Sequence, residues 1–381
     1  MIITKVEAIP ITLPGEKQLI NDSTQDGIII RVTTDEGIVG YGEVDSSPWV
    51  IKAIIDSPAS CRVVQGLGTI VTGRDPADVA KIWDDMYVAS MYYGGNSAAI
   101  HAMSGIDIAI WDILGKSANK PIYKLLGGKF RDKIRAYAST LMPYTPEEAA
   151  EEALKWKEAG YSAIKMGWGG FEDGPKKTIK LVEAARKAIG DDVDLLLDLG
   201  FIPSPEMTID APSRIQLAKH LEQFDPYLIE EPLFPHDYDG YKTLQEKVNT
   251  RIACGENITT RFGFKLLVDY CNLSIIQPDV ARCGGITETM RIAEYAGTKR
   301  INFIPHAWHS DILIAASLQI VAATSNVNLL EFCVWDTPIR NELTNNKFQA
   351  VDGFVTIPEA PGLGIEINDE IIEKYRWQSI W

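Results

Sequence analysis

The N-terminal stretch alternates apolar and polar positions with a period of two. The runs KVEAIPITL and IIIRVTTDEGIVGYGEV have the β-branched content of strands. Asp35, Glu36 and Gly37 supply turn chemistry inside the second run, so the pattern predicts an antiparallel hairpin. Beyond Pro76 the apolar spacing changes to three and four residues, which predicts helices. We therefore expect a small α+β unit over residues 1–125.

From about residue 134 short β-rich runs alternate with amphipathic helices. In one unit Thr145 as N-cap, Pro146 at the first helical position and Glu148 begin a helix that Gly160 ends. The strand SAIKM follows directly. Comparable runs recur at VDLLLDL, YLIEEPL, RIACGEN, LSIIQPDV, INFIPHA and VNLLEF, each separated by room for one helix. The alternation predicts a parallel βα structure, and the number of units favours a closed barrel.

An ionisable residue lies at or just past the end of each of seven apolar runs. The intervals between them are 23 to 33 residues, about one βα unit each. A single charged strand end is usually only solvated, but seven at this spacing indicate a site at the carboxyl-terminal mouth of a barrel. These residues are Lys165, Asp198, Glu230, Glu256, Asp279, His306 and Glu331.

Three of these residues are acids on successive strands: Asp198, Glu230 and Glu256. Three converging carboxylates repel one another unless a cation lies between them. An all-oxygen set suits a hard ion, so Mg²⁺ is the expected cofactor. The alternative is that these acids cap helices or form salt bridges. The five cysteines are scattered without a CxxC pair, so neither disulfides nor cysteine-bound zinc are expected.

The stretch PHAWHSD holds two histidines with different expectations. His306 closes a strand next to the one that ends at Asp279, a carboxylate that can orient it as a general base. His309 lies beyond the strand end, and no carboxylate is expected on a neighbouring strand to face it. Lys165 is expected to stabilise an oxyanion or protonate a leaving group. This set suits removal of a proton α to a carboxylate, with Mg²⁺ stabilising the enediolate.

Composition narrows the class of partner. The 381 residues carry a net charge of -15, which disfavours nucleic acid and anionic membranes. The opening residues lack the apolar core of a signal peptide, and the longest apolar run is too short to span a bilayer. We expect a cytoplasmic protein with a small-molecule carboxylate substrate. A homo-oligomer is expected because such assemblies are common among soluble barrels.

Several motifs in order along the chain resemble the enolase superfamily, in its mandelate racemase-like branch. They are TDEGIVGYGE, SGIDIAIWDILGK, PIYKLLGG, IEEP, GEN, QPDVARCGG, PH and APGLGIEI. The resemblance implies a modified TIM barrel, (β/α)7β, under an α+β capping domain. The expected division is a cap over 1–125, a catalytic barrel over 126–350 and a segment 351–381 that returns to the cap.

The resemblance also implies residue roles. Asp198, Glu230 and Glu256 match the family's Mg²⁺ ligands, and Asp279 with His306 matches its catalytic dyad. Glu331 matches an acid on the eighth strand that helps to hold the substrate or the enediolate.

Two positions depart from the family's pattern. Where the branch often has Lys-x-Lys, this chain has Lys165, Met166 and Gly167, so the second base is missing. Mandelate-type racemisation is therefore disfavoured unless Lys165 has taken its place. Gly200 stands where an asparagine or histidine is frequent. A histidine that could act as a general acid is therefore absent at that site. Protonation of the leaving group is then expected from His306 or Lys165.

One strong base fits dehydration of a sugar acid, an aldonate or aldarate, to a 2-keto-3-deoxy acid. The runner-up is a lactone cycloisomerase or epimerase that uses the same enediolate, and a non-catalytic binding protein is the third hypothesis. In this family the loop at 15–25, GEKQLINDSTQ, closes over the barrel and contacts the far end of the substrate. The alternative is an ordinary exposed hairpin loop.

Overall fold

The computed structural model describes residues 1–13, 25–201, 208–345 and 347–378. Apart from Gln25, the predicted substrate loop at 15–25 lies outside these residues. Three N-terminal strands, β1 (Ile3–Thr12), β2 (Asp26–Thr34) and β3 (Val39–Val44), form an antiparallel sheet in the order β1-β2-β3. The β2–β3 hairpin turns at Asp35 to Gly37, where the sequence predicts a turn.

Five helices follow and pack on this sheet or continue towards the barrel. They are α1 (Pro48–Asp56), α2 (Leu67–Val71), α3 (Val79–Gly94), α4 (Ala98–Ser117) and α5 (Ile122–Leu125). Helix α4 lies so close to β3 that a Cβ on Gly42 would be 2.0 Å from the Gly105 carbonyl oxygen. By length and composition α4 could cross a membrane, but 78% of its apolar window is buried inside the protein. The helix therefore fills the core between the sheet and the rest of the molecule.

Eight parallel strands form the second body. They are β4 (Lys133–Leu141), β5 (Ala163–Gly167), β6 (Asp194–Asp198), β7 (Leu228–Glu230), β8 (Arg251–Cys254), β9 (Ile275–Ile276), β10 (Asn302–Phe303) and β11 (Leu330–Cys333). The hydrogen-bonded order runs from β10 down to β4 and then to β11, so the last strand lies beside the first. A last strand that pairs with the first is the order of a barrel.

Each connection between successive barrel strands contains an α-helix. These helices are α6 (Pro146–Glu158), α7 (Pro175–Ile189), α8 (Ala211–Leu221), α9 (Tyr238–Lys247), α10 (Thr260–Lys265), α11 (Gly285–Thr298) and α12 (Asp311–Ala323). Eight strands with seven connecting helices give (β/α)7β, so the predicted fold is confirmed. Helix α6 begins as predicted, with Thr145 and Glu148 forming a reciprocal capping box.

The C-terminal segment contributes α13 (Pro338–Glu342), β12 (Phe354–Thr356) and α14 (Asp369–Tyr375). Strand β12 pairs antiparallel with β4 of the barrel. Asp369, at the start of α14, accepts hydrogen bonds from Arg31 at 3.1 Å and from the Tyr41 hydroxyl at 2.7 Å, both on the N-terminal sheet. The segment therefore contacts both bodies, and the domain limits at 125 and 350 stay a prediction.

The barrel interior shows how the fold positions a site. One apolar side chain from each strand or its immediate extension forms an inner layer: Tyr137, Ala163, Leu196, Leu228, Ala253, Ile275, Ile304 and Leu329. Because strand side chains alternate, the residue two positions later points inward again, one layer closer to the carboxyl end. These later residues are Ser139, Lys165, Asp198, Glu230, Gly255, Gln277, His306 and Glu331. An almost entirely polar layer thus lies on an apolar one.

Candidate active site

Three carboxylates meet in this polar layer. Asp198 ends β6, Glu230 ends β7, and Glu256 follows β8 after Gly255. One oxygen from each of the three lies within 4.8 Å of the other two. Gly255 has φ +145, a conformation that glycine tolerates, and the bend there brings Glu256 into the cluster.

The donor set fits a hard divalent cation. Within the described ranges, Asp198 Oδ1 and Glu230 Oε2 are buried without a hydrogen-bond partner, so each has an oxygen free to coordinate. Burial raises the pKa of Asp198 to about 6 and that of Glu230 to about 8; Lys165 opposes this rise and neighbouring carboxylates add to it. Such acids stay ionised together at neutral pH only beside added positive charge.

Lys165 supplies part of that charge. Its ammonium is 3% exposed and lies 2.7 Å from Glu331 Oε1, 2.9 Å from Glu230 Oε1 and 3.3 Å from Asp198 Oδ2. Burial acts to lower the pKa of Lys165, but Glu230 and Glu331 outweigh it, so the pKa is raised. The three N–H donors thus face three carboxylates, and the lysine remains a cation.

The structure also gives a physical reason for the missing second lysine. Gly167 occupies that position at the end of β5, and a Cβ there would lie 2.5 Å from the Cβ of Asp198. Real Cβ atoms do not approach so closely, so no side chain fits unless β5 and β6 move apart. The absence of a base at 167 is therefore built into the packing of these two strands.

His306 and Asp279 form a close pair on the other side of the cluster. The segments after β9 and β10 meet in a parallel bridge between them, and His306 Nδ1 donates to Asp279 Oδ2 at 2.6 Å. His306 Nε2 consequently faces the carboxylates, 3.3 Å from Glu256 Oε2 and 3.9 Å from Glu331 Oε2. A carboxylate that fixes one imidazole nitrogen and leaves the other at the site is the arrangement of a general base.

Charge on the carboxylates controls the proton on His306. Burial acts to lower the pKa of His306, but Glu256, Glu331 and Asp279 outweigh it and raise the pKa to about 10. Glu256 is also one of the three clustered acids. The protonation of the imidazole and the charge of the cluster are therefore coupled.

Glu331 joins the two halves of the site. It accepts hydrogen bonds from the Ser139 hydroxyl and from the Ala307 N–H, each at 2.7 Å, as well as from Lys165. Burial acts to raise the pKa of Glu331, but the Lys165 and His306 charges outweigh it and lower the pKa to about 2. An ionised Glu331 thus links β11 to the segment after β10.

Several residues of the site were missed from the sequence. Arg282 lies 2.7 Å from Asp45 of the N-terminal domain and 3.3 Å from Glu256. Gln277 lies in the polar layer, and both of its side-chain polar atoms are buried without a partner in the part of the chain that the structure describes. The signal for Gln277 was its position two residues after buried Ile275, whereas nothing in the sequence links Arg282 to Asp45.

His309 has a carboxylate partner that the sequence did not imply. Its Nδ1 contacts a carboxylate oxygen of Glu43, which lies on β3. No neighbouring barrel strand supplies this partner in the described residues; it comes from the N-terminal sheet, 266 positions away. Only the docking of the N-terminal sheet on the barrel brings the two together.

A cavity of about 240 Å³ opens above this cluster. Aromatic side chains form part of its wall. Trp168 and Phe201 pack edge to face, with their ring centroids 5.9 Å apart. The lining combines those aromatics with two of the clustered acids, Lys165 and the base. It comprises Ser139, Thr140, Leu141, Lys165, Gly167, Trp168, Asp198, Phe201, Glu256, Asn257, Arg282, His306, Trp308 and Glu331.

Known proteins share this arrangement of two domains. Residues 2–127 match the family described as mandelate racemase / muconate lactonizing enzyme, N-terminal domain. Residues 148–371 match the family described as enolase C-terminal domain-like. Together the two matches span most of the chain.

Relatives along the whole chain agree with these matches. The chain is 32% identical over 379 residues to a D-galactarolactone cycloisomerase of Agrobacterium fabrum, covering 95% of this chain and 94% of the relative. It is 33% identical over 359 residues to a D-galactonate dehydratase of Pectobacterium atrosepticum, covering 91% and 90%. The crystal structure of the 3,6-anhydro-D-galactonate cycloisomerase from Zobellia galactanivorans matches with a TM-score of 0.88 at 33% identity, covering 99% of this chain and 100% of that one. The chain therefore belongs to the enolase superfamily, in its mandelate racemase-like branch, and is an enzyme.

Proposed function

We propose that the protein is a Mg²⁺-dependent dehydratase of a sugar acid, either an aldonate or an aldarate. The observation that carries the proposal is a single oriented base, His306, beside three clustered carboxylates, with no room for a second base at Gly167. One base suffices for elimination, whereas racemisation needs one on each face of the carbon. Relatives named as dehydratases of D-galactonate and D-gluconate support the same reaction.

Asp198, Glu230 and Glu256 would hold the Mg²⁺, because one oxygen of each converges on the same place. Two carboxylate oxygens, Asp198 Oδ1 and Glu230 Oε2, have no hydrogen-bond partner within the described residues. When bound, Mg²⁺ stabilises the negative charge that develops on the substrate carboxylate as the α-proton leaves. Carboxylate oxygens are the ligands that this ion prefers.

Positive charge bound between the carboxylates would offset Glu256 and favour the neutral form of His306. In that form His306 Nε2 takes the α-proton, and Asp279 holds the resulting imidazolium through Nδ1. Lys165 adds positive charge beside the enediolate, and Glu331 keeps that ammonium in place. The 3-hydroxyl then leaves with a proton as water. Because the N–H donors of Lys165 already face three carboxylates, the newly protonated His306 is the better placed acid. Tautomerisation of the enol gives the 2-keto-3-deoxy acid.

The second candidate is a cycloisomerase acting on a sugar-acid lactone or anhydro sugar acid. It is favoured by the similarity to the cycloisomerases of Agrobacterium fabrum and Zobellia galactanivorans. Such a reaction uses the same α-proton removal by His306 but expels a ring oxygen in place of a hydroxyl group. The product then keeps all its atoms, which distinguishes the two reactions.

The test is a library of aldonates, aldarates and their lactones incubated with the enzyme and Mg²⁺, with colorimetric detection of 2-keto acids and mass measurement of products. Dehydration lowers the product mass by one water. Isomerisation of a lactone at unchanged mass, with no aldonate or aldarate consumed, would contradict the dehydratase proposal. The His306→Asn variant serves as the inactive control in both arms.

A further inference from the structure

A carboxylate of the N-terminal domain is satisfied entirely by the barrel. Glu43, fully buried on β3, accepts from His309 Nδ1, from the Ser310 hydroxyl at 2.6 Å, from the Leu313 N–H at 3.0 Å and from the Ser310 N–H at 3.3 Å. All four donors lie in residues 309–313, at the N-terminal end of α12. The positive end of a helix dipole adds to the attraction for this anion.

His309 extends the contact to a second strand of the cap. Its Nε2 donates to the Asp26 carbonyl oxygen at 3.0 Å, at the first residue of β2. Burial acts to lower the pKa of His309, but Glu43 outweighs it and raises the pKa to about 10, so the ring is a cation. Gly27 leaves the space for it, because a Cβ there would lie 2.7 Å from His309 Cε1.

The segment that directly follows the base is thus held at two points. Glu331 of the barrel accepts from the Ala307 N–H at one end, and Glu43 of the cap binds residues 309–313 at the other. His306 lies three positions before His309. An isolated buried ion pair is poor evidence of stabilisation, since its desolvation offsets its attraction, so a role in positioning fits it better.

We propose that Glu43 and His309 are positioning residues that couple docking of the cap to the placement of the base His306. The inference rests on the proposed function only for the identity of the reaction. Neither residue touches the reacting atoms; they act through the backbone of residues 306–313. A base displaced by about 1 Å loses on the order of 100-fold in rate.

The test uses full-length Glu43→Gln and His309→Gln, with Glu7→Gln as the matched control. Glu7 lies on β1 and pairs with Arg31 within the cap sheet at 3.0 Å. We expect kcat to fall at least ~10-fold in both test variants with KM changed less than about threefold, and no change in the control. The double variant Glu43→Gln/His309→Gln, which replaces the ion pair by two amides, should lose less than the two single losses multiplied.

A second readout needs no substrate. Proton NMR of the imidazole N–H groups should show a downfield His306 Nδ1 proton hydrogen-bonded to Asp279, assigned by its loss in His306→Asn. We expect this signal to shift or broaden in Glu43→Gln and His309→Gln and to stay in Glu7→Gln. A lower melting temperature with unchanged kcat and an unchanged His306 signal in both test variants would overturn the inference. A changed signal in an enzyme that turns over no sugar acid would support the positioning role and refute the proposed function.

Discussion

At the scale of single residues, His306 is the group whose loss has the most specific consequence. His306→Asn keeps a polar side chain next to Asp279 but removes the nitrogen that faces the carboxylate cluster. We expect kcat to fall by about 10²–10⁴-fold and exchange of the substrate α-proton with solvent deuterium to stop. NMR of recovered substrate in deuterium oxide measures the exchange.

The control for this substitution is His220→Asn, since His220 is an exposed histidine on α8 whose ring hydrogen-bonds to the Gln216 carbonyl oxygen of its own helix. Mg²⁺ binding by calorimetry should survive in both variants. Exchange that persists in His306→Asn would assign the base to another group.

The residues that the sequence predicted for the site do come together in space. Strand alternation and regular spacing carry that information, because each βα unit returns the chain to the same end of the barrel. Their roles remain proposals. The partners of Arg282 and His309 were not predictable, since Asp45 and Glu43 lie more than 230 positions away in the other domain.

At the scale of elements, the capping box of α6 offers a clean test of local stability. Thr145 accepts from the Glu148 N–H at 3.2 Å, and the Glu148 carboxylate accepts from the Thr145 N–H at 3.2 Å. Thr145→Ala should lower the free energy of unfolding by about 1 kcal/mol, measured by denaturant titration, with kcat unchanged. Thr145→Ser keeps the hydroxyl and should retain most of the stability. An equal loss in both variants would contradict a capping role.

A second prediction concerns the contact between α4 and α11. Asp107 on α4 accepts from the Thr287 N–H at 2.9 Å and from its hydroxyl at 2.6 Å, and burial raises the pKa of Asp107 to about 7 against a normal value of 3.8. The unfolded chain therefore loses this proton at lower pH than the folded protein does. Stability from this residue is complete below pH 4 and declines as the pH rises to about 7.

Asp107→Asn removes that titration. The free energy of unfolding, measured from pH 4 to 7, should decline less in the variant than in the wild type. The difference between the two declines should be at most a few kcal/mol, since one pKa unit corresponds to about 1.4 kcal/mol. Asp85→Asn, at a partly exposed acid on α3, is the control for general charge effects. Identical pH profiles in wild type and Asp107→Asn would show that Asp107 is ionised in the folded protein.

Elements were predictable where the apolar period was regular. Helix α6 follows from the N-cap at Thr145 and the stop at Gly160. Strand β5 follows from the short β-rich run that comes directly after this helix. The bend at Gly255 was not predictable, because a glycine after a strand does not reveal which following side chain will point inward. Glu256 reaches the cluster only through that bend.

At the scale of the whole molecule, the carboxylate cluster predicts that Mg²⁺ stabilises the fold. Asp198 and Glu230 are buried acids whose mutual repulsion a divalent cation relieves. At Mg²⁺ concentrations 100 times the Kd, the free energy of unfolding should increase by about 2.7 kcal/mol, visible as a higher melting temperature that a chelator reverses.

Glu230→Gln should abolish most of this Mg²⁺ effect, whereas Glu183→Gln, at an exposed acid on α7, should keep it. The metal-free Glu230→Gln protein should melt close to the metal-free wild type, because a buried Glu230 with a pKa of about 8 is largely uncharged at neutral pH without the metal. A melting temperature that does not respond to Mg²⁺ in the wild type would contradict the metal site.

The predicted homo-oligomer, the cytoplasmic location and the absence of nucleic-acid partners stay predictions. Light scattering would test the oligomeric state.

By itself, the sequence determined the barrel, its polar layer and the chemical type of each candidate residue. It did so because strand alternation and the length of a βα unit are local properties of the chain. Only the tertiary structure decided how Glu43 and Asp45 of the cap meet His309 and Arg282 of the barrel. These pairs depend on how the surfaces of two domains dock, and no local periodicity encodes that docking. Tertiary packing likewise explained the missing second base, because the distance between Gly167 and Asp198 is set by neighbouring strands.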